Sequence, residues 1–90
     1  MKKLIEVQEV ENEGLLKLMG KRATFFCLNY IYTGKLIGVN DDCVLVEDPA
    51  IVYETGDFKN KEYSDEQSLN CEEWYIMKST IESFGERNEG

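Results

Sequence analysis

The apolar positions in the first part of the chain recur at the spacing of a helix. Asn12 is a residue type that caps helix N-termini, and Gly20 is able to adopt the left-handed conformation that ends many helices. We therefore predict a short helix over residues 12–20, after an extended arm or short strand over residues 1–11. So short a helix is unstable alone, so its apolar face must pack on the rest of the chain. That face consists of Leu15, Leu16, Leu18 and Met19.

The pattern changes to that of β-strands from Arg22 onward, where apolar and aromatic segments alternate with polar turns. Pro49 lacks the amide proton of a sheet hydrogen bond, so it marks a bulge or an edge within the third strand. The polar stretch 55–73 predicts a long surface loop before the fourth strand. The five predicted strands cover residues 23–28, 30–39, 43–54, 74–78 and 81–84.

These elements fit a single domain over residues 1–90, because ninety residues are too few for two ordinary domains. A chain of this size buries a modest core, so we expect oligomerisation to help stabilise it. Within the domain we distinguish an N-terminal arm, a helix, an all-β barrel and a polar tail. Their bounds are residues 1–11, 12–20, 22–84 and 85–90.

Negative charge dominates the chain, whose formal net charge is −8. The excess of acidic residues lies beyond residue 23, and the segment before it holds five basic residues against four acidic ones. An acidic body is not a general phosphate binder, so any contact with nucleic acid has to be local. A secondary basic face is one candidate, and a solvated helix face is the other reading of the same residues. These are Lys17, Lys21 and Arg22, with Lys2 and Lys3.

Composition places the chain among soluble globular domains, with 42% hydrophobic and 31% charged residues. No apolar run approaches the ~20 residues of a membrane span, and acidic residues occur too early in the sequence for a signal peptide. We therefore expect a cytoplasmic protein that makes no membrane contact. The three cysteines lack C-x-x-C spacing, which argues against a disulfide framework. We expect Cys27 and Cys43 to be reduced and packed in strands, and Cys71 to be exposed.

Motifs for catalysis are missing from the sequence. It contains no histidine, so a serine or cysteine nucleophile would lack its usual base. Residues 57–66 depart from the calcium-binding EF-hand pattern because lysines fill two ligand positions. We expect a protein that is not an enzyme and that has no cofactor and no metal site.

The stretch from residue 34 to residue 48 is the most informative part of the chain. It reads Gly-Lys-Leu-Ile-Gly-Val-Asn, a short polar turn, and then Val-Leu-Val-Glu-Asp. Gly34 and Gly38 share one face of a strand, where a small barrel must curl. This pattern resembles the first signature of the Sm-like family, which includes the Sm and LSm proteins and bacterial Hfq. A shorter match follows at residues 75–81.

The resemblance covers residues 12–84, apart from the long loop. It implies an all-β fold, a five-stranded and strongly bent antiparallel SH3-like barrel with a short N-terminal helix. Another SH3-like or oligonucleotide-binding barrel is the alternative, because such barrels share the same succession of strands.

In the Sm-like family, RNA bases enter pockets formed by two turns beside the central pore of a ring. The resemblance places Asn40, Asp41 and Asp42 in the first turn and Lys78 and Ser79 in the second. Asp42 takes the position of an aromatic residue whose stacking on a base is worth ~1–3 kcal/mol. Lys78 matches the basic residue of the family. A plain tight turn also accounts for residues 40–42, and a strand-end lysine paired within its own subunit also accounts for Lys78.

Subunits of the family join when the fourth strand of one pairs with the fifth strand of the next. The resemblance therefore implies a homo-oligomeric ring of five to seven subunits that binds single-stranded RNA. A ring scaffold that has lost RNA binding and contacts other proteins is the alternative, and the acidic first turn favours it. The residues expected at or near the subunit interface are Trp74, Tyr75, Ile76, Ile81 and Phe84.

Overall fold

Six strands form one antiparallel sheet in the structure, a computed structural model that describes residues 14–87. A 3-10 helix, Gly14–Leu18, precedes the sheet, and a 3-10 turn, Lys78–Thr80, joins its last two strands. The strands are β1 (Arg22–Cys27), β2 (Ile31–Val39), β3 (Cys43–Glu54), β4 (Asp65–Ser68), β5 (Glu73–Met77) and β6 (Ile81–Glu86).

The strand order is β4-β3-β2-β1-β6, and β5 pairs with the first half of β3. No ladder joins β5 to β6 among the described residues, so strand pairing does not close the sheet. The all-β prediction is confirmed. Among the described residues β4, β5 and β6 each have an unpaired edge, and β5 and β6 follow each other in the chain.

A bend in the middle of β3 lets one strand serve two partners. Asp48 has a positive φ of 51°, and the pairing of β2 with β3 shifts register between Thr33 and Lys35. The bulge predicted at Pro49 is therefore confirmed. A Cβ atom added to Gly34 would lie 2.8 Å from the Cβ of Val46. Glycine is required there because the two backbones approach each other closely at the bend.

The core lies on one face of the sheet, under the first 3-10 helix. The alternation of side chains along each strand brings the apolar residues of β1, β2, β3 and β5 to this face. Its buried members are Leu18, Ala23, Phe25, Leu36, Val44, Val46 and Ile76.

The second face of the sheet, opposite the core, is covered by residues 55–64 together with β4. Thr24 and Thr33 are buried there as direct cross-strand neighbours. The hydroxyl groups of Thr24 and Tyr63 lie 2.7 Å apart, and Thr33 donates a hydrogen bond to the carboxylate of Glu66. Arg87 donates to the same carboxylate at 2.7 Å. The polar side chains of the loop thus satisfy the polar groups beneath it.

The N-terminal helix differs from its prediction. It is a 3-10 helix rather than an α-helix, and the hydrogen bonds at its end, from Met19 N–H to Leu16 O and from Lys21 N–H to Leu18 O, also span three residues. A single short stretch of 3-10 helix is common where a helix only connects other elements. Gly20 ends the helix with φ +80°, as predicted. The predicted cap at Asn12 and the arm over residues 1–11 lie outside the described residues.

Two further differences concern the second half of the chain. The predicted loop 55–73 contains a strand, β4, which pairs with the part of β3 beyond the bend. The sequence of β4, Asp-Glu-Gln-Ser, has no apolar alternation because only backbone groups and one carboxylate contact the sheet. Strand β6 extends to Glu86, two residues beyond its prediction, and Arg87 N–H donates to Arg22 O. The predicted tail therefore begins inside the sheet, and residues 88–90 lie outside the described part.

Candidate functional site

The two turns identified in the sequence meet in the structure. The backbone N–H of Lys78 donates a hydrogen bond to the carbonyl oxygen of Asp42, with N and O 2.9 Å apart. The bond continues the β3–β5 ladder, in which Cys43 pairs with Met77. Strand pairing thus positions the two turns side by side, although they are far apart in the sequence.

The first turn is held by the side chain of Asn40. Its Oδ1 accepts hydrogen bonds from the backbone N–H groups of Asp42 and Cys43, each at 2.8 Å. The backbone N–H of Asn40 donates to the carbonyl oxygen of Cys43 at 3.0 Å. This arrangement is typical of Asn in turns. It occupies the acceptor oxygen of Asn40 and leaves the carboxylates of Asp41 and Asp42 exposed to solvent.

The second turn is a single 3-10 turn, Lys78–Thr80. Thr80 Oγ1 donates a hydrogen bond to the carbonyl oxygen of Met77 at 2.8 Å, and the backbone N–H of Ile81 donates to the carbonyl oxygen of Lys78. Lys78 is half-buried and Ser79 is exposed. The turn therefore presents a hydroxyl group and a cationic side chain next to the two carboxylates.

A third turn lies beside these two turns. The sequence had not associated it with them. Leu28 N–H donates to the carbonyl oxygen of Thr80 at 2.9 Å, so residues 28–30 lie next to the second turn. Leu28 is 71% exposed and Tyr30 is 52% exposed. The rings of Tyr30 and Tyr32 meet edge to face, with centroids 6.1 Å apart. We refer to residues 28–30, 40–42 and 78–80 together as the turn cluster.

Sequence reasoning missed Leu28, Asn29, Tyr30 and Thr80 of this cluster, and Tyr30 is the one with an exposed aromatic ring. The predicted strands ended at residue 28 and resumed at residue 30, and the connection between them was given no role. The available signal was the pair Leu28 and Tyr30 on either side of Asn29, because neighbouring apolar side chains that are exposed together can mark a contact surface.

Two ionisable groups lie behind the turn cluster. Burial raises the pKa of the Cys27 thiol above its ordinary value of 9.0, and a hydrogen bond with Thr80 acts in the opposite direction. Burial also raises the pKa of Tyr32 above its ordinary value of 10.0, and the neighbouring Cys27 and Tyr30 raise it further. Both groups are protonated at neutral pH, so they add no charge to the site.

The secondary basic face is a corner where the first 3-10 helix meets β1. Lys17 is exposed on the helix, and Arg22 opens β1. The Nζ atom of Lys21 lies 3.6 Å from the Oε1 atom of Glu86, so an acidic neighbour offsets its charge. Lys2 and Lys3 lie outside the described residues.

The residues predicted for the subunit interface lie on β5 and β6, each of which has an unpaired edge. On β5, Trp74 and Tyr75 are 38% and 64% exposed, whereas Ile76 is buried in the core of its own chain. On β6, Phe84 is 39% exposed and Ile81 packs against the core. The side chains available to a partner are thus the three aromatic ones.

Comparison of the chain with protein-family models, with curated proteins and with solved structures finds no match.

Residues 14–87 contain no helix of the length and apolarity needed to cross a membrane. All three cysteines are free, and Cys71 is exposed as predicted.

Proposed function

We propose that this chain is an Sm-like domain that assembles into a ring and binds single-stranded RNA at the turn cluster. The observation that carries the proposal is the 2.9 Å hydrogen bond from Lys78 N–H to the carbonyl oxygen of Asp42. It joins the two turns to which the resemblance assigns the RNA pocket.

The side chains of the turn cluster suit a short stretch of RNA. Tyr30 offers an exposed aromatic face, and stacking on such a face tolerates any base. Ser79 and the amide N–H groups of Asn40 provide polar contacts for base edges, and Lys78 provides a cation for phosphate. Tyr30 would supply from the first hairpin the stacking surface that Asp42 cannot supply.

The open strands support the assembly. An unpaired strand edge with exposed aromatic side chains is a template for pairing with another chain. Both β5 and β6 have such an edge, with Trp74 and Tyr75 on one and Phe84 on the other. Head-to-tail pairing of the β5 edge with the β6 edge of the next copy satisfies both edges and closes into a ring if the rotation permits.

Size-exclusion chromatography with light scattering tests the assembly. We expect a single species with a mass of five to seven subunits at micromolar concentration. A monomer under these conditions would overturn the ring and, with it, the proposed function.

Fluorescence anisotropy with short oligo-U and oligo-A at low ionic strength tests RNA binding. We expect saturable binding that Lys78→Ala and Tyr30→Ser weaken by about tenfold each, the factor that corresponds to ~1.4 kcal/mol. Tyr53→Ser is the matched control for Tyr30, because Tyr53 is another exposed tyrosine, on β3 and outside the turn cluster. Binding that neither Lys78→Ala nor Tyr30→Ser changes would place the RNA elsewhere.

The alternative, a protein-binding ring scaffold, is favoured by one observation in the first turn. The Oδ1 atom of Asn40 is already occupied by two backbone N–H groups, and the carboxylates of Asp41 and Asp42 repel phosphate. A ring that shows no binding of either oligonucleotide would favour this function.

A further inference from the structure

The long loop before β5 has no role in the proposed function, and its position suggests one. Its residues 57–61 lie beside the end of β6, and together they form a groove of about 430 Å³ on the second face of the sheet. The loop is anchored there by the Tyr63–Thr24 contact, and the guanidinium of Arg87 lies 5.0 Å from the centre of the Tyr63 ring. The groove is therefore part of the folded chain and borders an open strand edge.

We propose that this groove receives the β5 strand of a second copy of the chain, so that the loop becomes a clasp over the junction between subunits. The inference rests on the proposed head-to-tail assembly and deepens it. On one copy, the interface includes Lys59 and Lys61 of the loop and Gly85 of β6. On the other copy, it includes Tyr75 and the acidic residues Glu72 and Glu73 at the start of β5.

Alternation along the strands places the relevant side chains on the same face. On β5, Ile76 points into the core, so Glu73 and Tyr75 point to the second face. On β6, Gly85 pairs with Thr24, which also belongs to the second face. A sheet that continues from β5 into β6 of the next copy therefore brings Tyr75 to the side of the groove.

Charge complementarity selects an antiparallel junction, the arrangement of every strand pair within the described residues. In that direction the Glu73 end of β5 lies opposite the Glu86 end of β6, next to the loop. Glu72 and Glu73 are exposed, as are Lys59 and Lys61. Two carboxylates on one copy thus come near the three basic residues of the groove, Lys59, Lys61 and Arg87, whose lining also includes Asp57 and Glu86.

The acidic end of β5 carries unfavourable contacts within its own chain. Glu73 pairs directly with Glu47 across the β3–β5 ladder, and like charges in that position repel each other. On the other side of Glu47 this row of the sheet continues through Lys35 to Arg22, so its two basic residues lie on β1 and β2 and its two acidic residues lie on β3 and β5. Lysines from a neighbouring copy would place positive charge beside the acidic end of the row.

Gly85 provides the space for Tyr75. A Cβ atom added to Gly85 meets no atom within 4 Å, so the surface above this residue is open. When Glu73 lies opposite Arg87, the antiparallel register places Tyr75 opposite Gly85. An aromatic side chain over a cross-strand glycine covers backbone that is otherwise exposed, a known device for stabilising sheets.

Charge reversal on each side of the junction tests the clasp. The variants are Lys59→Glu/Lys61→Glu, Glu72→Lys/Glu73→Lys, and the swap that combines all four substitutions. We expect the lysine pair and the glutamate pair of substitutions each to weaken assembly at low ionic strength. The protein concentration at which half of the assembly dissociates should rise by about tenfold or more. The swap should restore assembly towards that of the parent chain.

The three variants separate complementarity from general repulsion. The lysine reversals add four negative charges to the net −8, the glutamate reversals remove four, and the swap leaves the net charge unchanged. General repulsion would weaken assembly in the first variant and strengthen it in the second. Assembly that is stronger in the second variant, or the same in all three as in the parent chain, would overturn the clasp.

Gly85→Val tests the groove itself, since a branched side chain occupies the space assigned to Tyr75. We expect this variant to keep the circular dichroism spectrum of the folded chain and to assemble about tenfold more weakly, as should Tyr75→Ser. Assembly of Gly85→Val equal to that of the parent would overturn the proposed seat for Tyr75. A parent chain that is monomeric overturns the ring and the clasp together, whereas a ring indifferent to all these variants overturns the clasp alone.

Discussion

Single residues decide how tightly this sheet can bend, and Gly34 is the clearest case. A Cβ atom at this position would lie 2.8 Å from Val46 Cβ and 3.2 Å from the carbonyl oxygen of Glu47. The backbone cannot yield there without moving β2 away from β3. Gly38, which the sequence grouped with Gly34, leaves 3.4 Å to the Cβ of Leu45.

Gly34→Ala should therefore lower the free energy of unfolding by about 1–3 kcal/mol, the usual cost of overpacking. Gly38→Ala should change it by less than about 1 kcal/mol, because its added methyl group makes an ordinary contact and restricts the unfolded chain. Urea denaturation of both variants measures the difference. Equal effects at the two glycines would contradict the close approach at the bend.

Cys27 and Tyr32 make the stability of the protein depend on pH in the alkaline range. Burial raises the pKa of each group in the folded state. The folded state then holds more protons than the unfolded state once the pH exceeds the ordinary pKa values of 9.0 and 10.0. Consequently, these two groups leave the free energy of unfolding unchanged well below pH 9. Above that, the free energy of unfolding falls as the pH rises through both values.

Substitutions at these two positions should flatten that dependence. We expect Tyr32→Phe and Cys27→Ala each to reduce the alkaline fall in the free energy of unfolding, whatever their effect at neutral pH. Denaturation by urea at a series of pH values from neutral to alkaline provides the measurement. A slope shared by the parent chain and both variants would contradict the assignment of the pKa shifts.

At the scale of elements, the loop that covers the second face is held by few contacts, so each contributes noticeably. Tyr63→Phe removes one partner of the 2.7 Å contact with the buried hydroxyl of Thr24. We expect a loss of about 1–3 kcal/mol, because a buried polar group left without a partner bears its desolvation cost. Hydrogen exchange should become faster over residues 55–64.

The double variant Thr24→Val/Tyr63→Phe provides the control for that loss. It removes both hydroxyl groups at nearly constant shape, so it should recover part of the stability lost in Tyr63→Phe alone. Strictly additive losses would show that the two hydroxyl groups do not interact.

The elements that the sequence predicted well are those in which apolar and polar side chains alternate. Strands β1, β2, β3, β5 and β6 each place apolar residues on the core face, and the bulge at Pro49 followed from its missing amide proton. Strand β4 was missed because backbone pairing and the Glu66 carboxylate hold it, neither of which produces an apolar pattern. The helix type was missed because apolar spacing over so few residues does not distinguish a 3-10 helix from an α-helix.

The candidate site also has a part that the sequence predicted and a part that it did not. The sequence resemblance placed the turns at Asn40 and Lys78, and the β3–β5 ladder brings them together. The neighbouring turn with Tyr30 was not foreseen, because its position depends on the hydrogen bond from Leu28 N–H to the carbonyl oxygen of Thr80. Contacts between turns far apart in sequence leave no local pattern.

At the scale of the whole molecule, the net charge of −8 opposes the approach of any nucleic acid, and the turn cluster adds to the opposition locally. Asp41 and Asp42 are exposed beside the residues proposed to hold RNA. A ring repeats this pair of carboxylates in every subunit, so their effect on a strand that contacts several subunits accumulates.

Asp41→Asn/Asp42→Asn should therefore strengthen binding of oligo-U at low ionic strength by about 5-fold to 30-fold, equivalent to ~1–2 kcal/mol of removed repulsion. Glu54→Gln/Glu62→Gln is the matched control, because it removes two exposed carboxylates elsewhere and gives the same net charge. Anisotropy titrations of both variants at rising salt separate the local effect from the global one. A gain confined to the first variant and lost at high salt places RNA at the turn cluster, whereas equal gains show that only net charge acts and contradict the site.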